Sequence, residues 1–154
     1  MRAVIQRVRE ASVVVEGREV SRIGHGLLVL LGAATTDSDG DADRLAEKVA
    51  ALRIFDDASG RMNLDVSAVG GAVLCVSQFT LLGDVRRGNR PSWDAAAPGP
   101  AAQPLYERFC DRLASLGIDC QRGVFGVEMS VRLDNDGPVT LVIDTAAFEQ
   151  PRRA

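Results

Sequence analysis

The stretch Gly26-Leu27-Leu28-Val29-Leu30-Leu31-Gly32 decides the fold class. Five consecutive apolar residues between two glycines read as a strand buried on both faces. The run is far too short to span a membrane. Upstream, Met1 to Val8 alternates, with Val4, Gln6 and Val8 on one face and Ala3, Ile5 and Arg7 on the other. Ser12 to Glu16 continues as a β-branched strand, turns at Glu16-Gly17-Arg18, and returns through Val20 to Ile23 as a hairpin. Downstream the period changes. Asp37-Ser38-Asp39-Gly40-Asp41 suits a helix start, and Ala42, Leu45, Ala46, Val49 and Leu52 follow at helical spacing. Arg53-Ile54-Phe55 leads into a turn, and Ala72 to Val76 forms another apolar strand after Gly70-Gly71.

Residues 83–103 read as a long loop with Pro91, Pro98 and Pro100, and such loops in compact domains are usually functional or disordered. A second helix is expected from Pro104, with Leu105, Phe109, Leu113 and Leu116 as its apolar face and Gly117 as its stop. Strands follow at Ile118 to Cys120, Met129 to Leu133 and Val139 to Ile143, the last two joined by an expected hairpin turn at Asn135-Asp136-Gly137-Pro138. Strands at both ends and two helices predict an α+β single domain over residues 1–149, with barrel-like β-sheet layers, helices packed on one side, and a polar tail at 150–154. Two helices cannot cover both faces of a large sheet, so a second layer of strands or a partner subunit must cover the rest.

The 154 residues are 46% hydrophobic and 25% charged, with a formal charge of −3, so there is no overall basic footprint for nucleic acid. One histidine, His25 in a glycine turn, leaves little room for a Ser-His-Asp or Cys-His-Asn site. Cys75, Cys110 and Cys120 lack C-x-x-C spacing, so neither a metal site nor a cofactor is expected, and reduced buried thiols in the cytoplasm fit best. Lys48 is the one lysine. The arginine bias fits either a GC-rich genome or phosphate recognition.

Three segments carry candidate chemistry. Ser77-Gln78-Phe79-Thr80 places polar groups and backbone N–H donors at the end of a buried strand, where they can either cap the strand or hold an oxyanion. Gly137-Pro138 is a candidate cis pair, which would turn two carbonyls the same way. Arg86, Arg87 and Arg90 beside Trp93 suit phosphate contacts with base stacking, or a solvated basic loop. Phe125 and Met129 lie among glycines and read as either pocket lining or core.

Taken together, Met1-Arg2-Ala3-Val4-Ile5-Gln6-Arg7-Val8, Leu52-Arg53-Ile54-Phe55, Met62-Asn63-Leu64, Ser77-Gln78-Phe79-Thr80-Leu81, Ala97-Pro98, Pro104-Leu105-Tyr106-Glu107 and Asn135-Asp136-Gly137-Pro138-Val139-Thr140 occur in the order seen in the D-aminoacyl-tRNA deacylases. The chain resembles that family from end to end. The resemblance implies a homodimer with active sites at the subunit interface. It implies hydrolysis of the ester between a D-amino acid and the 3′-terminal adenosine of tRNA, with glycyl-tRNA as a further substrate. It assigns Ser77, Gln78, Phe79 and Thr80 to catalysis, with Ser77 and the Phe79 N–H holding the ester carbonyl. Gly137 and Pro138 would reach into the partner's pocket and exclude an L side chain, Arg7 would brace them, and Phe125 and Met129 would line the adenosine pocket.

The chain departs from the family's commoner residues at Leu82-Gly83, where Tyr-Ala is usual, and at Val124 and Val127-Glu128. These positions flank the motifs and remove none of their residues. Three rival readings stand beside this one: a related deacylase clearing a small L-amino acid, a non-catalytic binder of tRNA 3′ ends, and a structural β-rich interaction subunit.

Overall fold

The computed structural model describes residues 1–149; the polar tail expected at 150–154 lies outside the described residues. The chain runs β1 (Arg2–Val15), β2 (Arg18–Ile23), β3 (Gly26–Gly32), α1 (Asp39–Ala50), β4 (Phe55–Asp56), β5 (Met62–Leu64), β6 (Ala72–Ser77), α2 (Gly99–Ser115), β7 (Cys120–Arg122) and β8 (Ser130–Asp144). The two segments expected before Glu16 are one continuous strand. One edge of β1 pairs first with β3, through Arg2 to Val8, and then with β2, through Ala11 to Val15. Its other edge pairs with β8 along nearly its whole length. All three pairings are antiparallel, whereas β3–β6 and β6–β7 are parallel.

Each parallel pair is joined by a segment containing a helix, and both helices pack on the same face. Against that face lie Ala3, Ile5, Leu27, Val29, Leu31, Val73 and Cys75, meeting Leu45 and Val49 of α1 and Phe109 and Leu113 of α2. The opposite face needs no second sheet. The mixed sheet curls until β2 comes back against β6 and β7, nearly closing a barrel. Val8, Val13, Ile23, Leu28, Leu74 and Val76 fill its interior. The expected α+β architecture with a barrel-like sheet and two helices on one side is the one observed.

Ser38 and Asp41 form a reciprocal capping box at the start of α1, as the acidic cluster suggests. Arg108 spans Asp43 and Asp39 at 2.6 and 3.2 Å, and Arg112 reaches Glu47 at 2.6 Å, tying the polar sides of the two helices together.

Three expectations need correction. The second helix begins at Gly99, five residues before Pro104. Pro100 falls in the first turn, where a missing N–H costs nothing, and Pro104 is accommodated one turn later inside the helix. Leu116 is not part of the apolar face; it caps the helix and is largely exposed. Most importantly, Asn135 to Pro138 is no hairpin turn. Met129 to Ile143 is not two strands but essentially one, and residues 136–139 form an outward bulge between the pairs Val8–Asn135 and Gln6–Thr140.

Candidate active site

Strand β6 ends at Ser77, which pairs with Leu31, and the Gln78 N–H extends the ladder by donating to the Leu31 carbonyl at 2.8 Å. The chain then tightens into a 3₁₀ turn over Phe79–Leu82. The first bonds of this turn run from the Leu81 N–H to the Gln78 carbonyl and from the Gly83 N–H to the Thr80 carbonyl. The N–H groups of Phe79 and Thr80 therefore have no partner inside the turn and are available as donors. Arg2 fixes the far side: its guanidinium donates to the Leu81 carbonyl at 2.7 Å and pairs with Asp144 at 2.9 Å. Nothing in the composition of β1 marks Arg2 for this work; its bond to Leu81 crosses 79 residues of sequence.

Gly32, at the end of β3, sets how closely this turn can approach. A Cβ there would lie 2.8 Å from the Gln78 carbonyl oxygen and 2.5 Å from a Leu82 methyl carbon. Gly32→Ala is expected to push the turn outward, costing about 1–3 kcal/mol of stability. Its kcat should fall more than tenfold in a chain whose circular dichroism stays native; an unchanged kcat would show that the turn's position is immaterial.

The strand end opens on a cavity of about 690 Å³. Ser77, Gln78 and Phe79 line it, and so do Phe125 and Met129, so five of the residues singled out in sequence converge on one space. Trp93, expected beside the basic loop as a stacking aromatic, instead completes the walls together with Pro98 and Tyr106, to which the sequence assigned no site role. Trp93 stands edge-to-face to Phe79 with centroids 5.2 Å apart, and Tyr106 is tilted against Phe125 at 5.8 Å. The Tyr106 hydroxyl donates to the Cys75 carbonyl at 2.9 Å. Burial pushes its pKa well above the ordinary tyrosine value, so it remains a neutral donor. The Val124 N–H approaches the Met129 sulfur at 3.3 Å, turning the thioether back toward the Gly123–Gly126 loop.

The other candidates sit elsewhere. Thr80 is exposed and outside the cavity lining, and its hydroxyl accepts a hydrogen bond from the Gln78 side-chain amide. Gly137 and Pro138, joined by a cis bond, lie exposed on the β8 bulge and line no part of this chain's cavity.

Arg7 lies beneath that bulge and is only 6% exposed. Its guanidinium donates to the Ile54 carbonyl at 2.6 Å. Its Nε forms an ion pair with Asp136 at 2.9 Å that is not aligned as a hydrogen bond. Asn135 closes the bulge, its side-chain amide donating to the carbonyls of Arg7 at 3.0 Å and Val139 at 3.2 Å.

In the basic loop, Arg86 is clamped onto Asp84 at 2.6 Å, and this hydrogen-bonded pairing holds the Asp84 carboxyl down at about 2. Arg87 and Arg90 project from the surface. His25 is exposed in the turn between β2 and β3, edge-on to Phe55. The thiols of Cys75 and Cys110 are buried and that of Cys120 half-buried, all three reduced.

The strand end thus opens on an aromatic-lined cavity whose described lining residues include one carboxylate, Glu128, and no histidine, so its polar groups are mainly backbone and side-chain hydrogen-bonding groups rather than a side-chain triad. The comparisons are specific. The family model described as D-Tyr-tRNA(Tyr) deacylase matches residues 4–144, and the chain belongs to that family. A protein named D-aminoacyl-tRNA deacylase from Anaeromyxobacter dehalogenans (strain 2CP-C) is 57% identical over 145 residues, covering 94% of this chain and 97% of the relative. One of the same name from Chloroflexus aurantiacus (strain ATCC 29364 / DSM 637 / Y-400-fl) is 57% identical across 100% of this chain and 96% of its own. Among solved structures, one described as c-Myc DNA Unwinding Element Binding Protein superposes with a TM-score of 0.88 at 38% identity, over 94% of this chain and 98% of that one. A probable eukaryotic D-amino acid tRNA deacylase shares the fold, with a TM-score of 0.81 at 17% identity, over 92% and 97% of the two chains.

Proposed function

We propose that this enzyme, a D-aminoacyl-tRNA deacylase, holds the 3′-terminal adenosine between Phe125 and Met129 and the ester carbonyl against Ser77 and the Phe79 N–H. The observation that carries this reading is the meeting of these four residues on a single cavity. Its volume, about 690 Å³, suits a nucleoside with an attached aminoacyl group. Gln78 shapes the turn through its bond to Thr80, and Thr80 positions the substrate rather than attacking it. Water is the nucleophile, assisted by the substrate's ribose 2′-OH.

Gly137 and Pro138 supply the chirality test from a second copy of the chain. They stand on a bulge outside their own cavity, on a strand whose outer edge pairs with nothing among the described residues and carries exposed Leu133 and Val142. Their carbonyls take the substrate's amino group and leave no space for an L side chain, so selectivity arises from a clash with the wrong enantiomer. Glycyl-tRNA has no side chain to clash and is expected to pass. Arg87 and Arg90 approach tRNA phosphates, whereas Arg86 is already engaged by Asp84. Enzymes acting on tRNA in translation work in the cytoplasm, and no helix among the described residues is long and apolar enough to cross a membrane.

The test compares hydrolysis of D-Tyr-tRNA, L-Tyr-tRNA and Gly-tRNA by the purified protein. Cleavage of the D ester and the glycyl ester, with the L ester spared by a factor of at least about 100, is expected for a steric clash of a few kcal/mol. Equal cleavage of both enantiomers would overturn the reading, and preference for the L ester would make it a different deacylase.

A further inference from the structure

The three cysteines lie on three different elements and meet in the core. Cys75 is in β6 and Cys120 in β7, where the parallel register sets Cys75 opposite Arg122 and Cys120 opposite Val73. Val73 and Cys75 belong to the core under the helices, so Cys120 and Arg122, directly opposite them, face the same way. Cys110 reaches them from α2, which packs against β7. Its thiol is within hydrogen-bonding reach of those of both Cys120 and Cys75. Arg122 pairs with Asp111, the neighbour of Cys110, at 2.5 Å, fixing the helix to the strand at this point.

No cysteine lines the cavity, so the hydrolytic reading leaves all three thiols without a task. They differ in reactivity. Cys75 is wholly buried, and that burial pushes its thiol up, so it stays protonated. The Cys110 thiol is lowered by hydrogen bonding from Cys120 and Cys75, and the Arg122 guanidinium favours its anion as well. Cys120 is the half-buried member and the one that a small solute reaches first.

Each of the three elements continues into a wall of the cavity. Cys75 comes two residues before Ser77, and its carbonyl accepts the Tyr106 hydroxyl and the Gly123 N–H, both at 2.9 Å. Tyr106 is one helical turn before Cys110, and the loop after β7 carries Phe125.

We propose that Cys110 and Cys120 are an oxidation site at which a peroxide closes a disulfide between α2 and β7, and that this bond reversibly slows turnover by displacing Tyr106 and Phe125. Cys120, as thiolate, takes one oxygen from the peroxide; the O–O bond breaks, a sulfenic acid forms and hydroxide leaves. Cys110, as thiolate, then attacks that sulfur; the S–S bond forms, the S–O bond breaks and a second hydroxide leaves. The two protons given up by the thiols turn both hydroxides into water, so two thiols are oxidised and one peroxide is reduced. Sulfurs in contact stand farther apart than sulfurs that are bonded, so α2 and β7 must shift to close the bond. The effect on turnover rests on the site reading given above, whereas formation of the bond does not.

The test treats the purified protein with hydrogen peroxide, alkylates the remaining thiols after denaturation, and maps peptides without reductant. A Cys110–Cys120 cross-linked peptide with Cys75 alkylated is expected. D-Tyr-tRNA turnover should fall about tenfold, and dithiothreitol should reverse both changes. Cys120→Ser and Cys110→Ala should each keep the basal turnover and resist the peroxide. Equal loss in these variants and the wild type would place the damage elsewhere, as at Met129, whose sulfoxide dithiothreitol does not restore, and would overturn the proposal. So would the absence of the cross-link, or a cross-linked enzyme whose turnover stays within about twofold of the reduced form. A protein that cleaves neither D nor L ester, yet forms the reversible cross-link, would refute the hydrolytic reading and leave the oxidation site standing.

Discussion

Replacing the 3′-terminal adenosine of the substrate by its 2′-deoxy form is expected to slow hydrolysis about a thousandfold, within the usual range for loss of a positioned acid–base group. Thr80→Ala should cost less than about tenfold. Both expectations come from what surrounds the candidate nucleophile. The Thr80 hydroxyl accepts a bond from the Gln78 amide, which ties up electron density a nucleophile would need. Thr80 does not line the cavity, and among the described residues Glu128 is the only carboxylate that does. A ribose hydroxyl one carbon from the scissile ester is already in place, so its help carries little entropic cost. Single-turnover assays with the two tRNA forms and the two proteins separate the routes. Near-complete loss in Thr80→Ala with tRNA binding intact, and full activity on the deoxy substrate, would instead establish covalent catalysis.

Arg7→Met is the protein change expected to do most damage. The guanidinium is almost wholly buried, and the substitution strands both the Ile54 carbonyl and the half-buried Asp136 that it serves. Removing one partner of such a pair costs about 3 kcal/mol, which lowers Tm by roughly 10 °C in a chain of this size. The contact to Asp56 at 3.6 Å adds little, since that carboxylate is half exposed. Activity should fall further than stability at temperatures where the fold persists, because Asp136 directly precedes Gly137 and Pro138. Arg7→Lys keeps the charge without the planar fork and should fall between. Thermal melts together with D-Tyr-tRNA turnover measured well below Tm check both parts; turnover that simply tracks the folded fraction would deny Arg7 any part in placing the bulge.

What the sequence made legible followed from local periodicity. The apolar run of β3, the stripe of α1 and the alternation of β1 each declare which faces are buried, because each pattern extends over several residues. Parallel pairing of β3 with β6 left no such mark: an apolar strand looks the same in either direction. The start of α2 was misplaced because Pro100 and Pro104 both suit a first turn, and the choice depends on what Ala97 and Pro98 pack against. The β8 bulge misled for a related reason. Asn-Asp-Gly-Pro is good turn chemistry, but Asn135 spends its side chain on the carbonyls of Arg7 and Val139, and pairing with β1 resumes on both sides.

For the candidate site, the strand-end motif and Phe125 with Met129 converge as their spacing in sequence could not show. Trp93 reads from sequence as a stacking aromatic of the basic loop, whereas its place in the cavity wall depends on the close approach of Gly83, a departure that flanks the motif. The cavity itself is a property of the curled sheet and of no single segment.

Arg2 joins parts of the chain made at very different times. It secures the Leu81 carbonyl, 79 residues after it, and pairs with Asp144, 142 residues after it. During synthesis the opening strand therefore emerges long before either of its clients. The guanidinium that tethers the turn gains its second partner, Asp144, only after β8 has docked. On the proposed reading of the site, an incomplete chain would carry the motif without β8 to hold Arg2, so competence to cleave an ester would arrive with that strand rather than grow gradually as the chain lengthens.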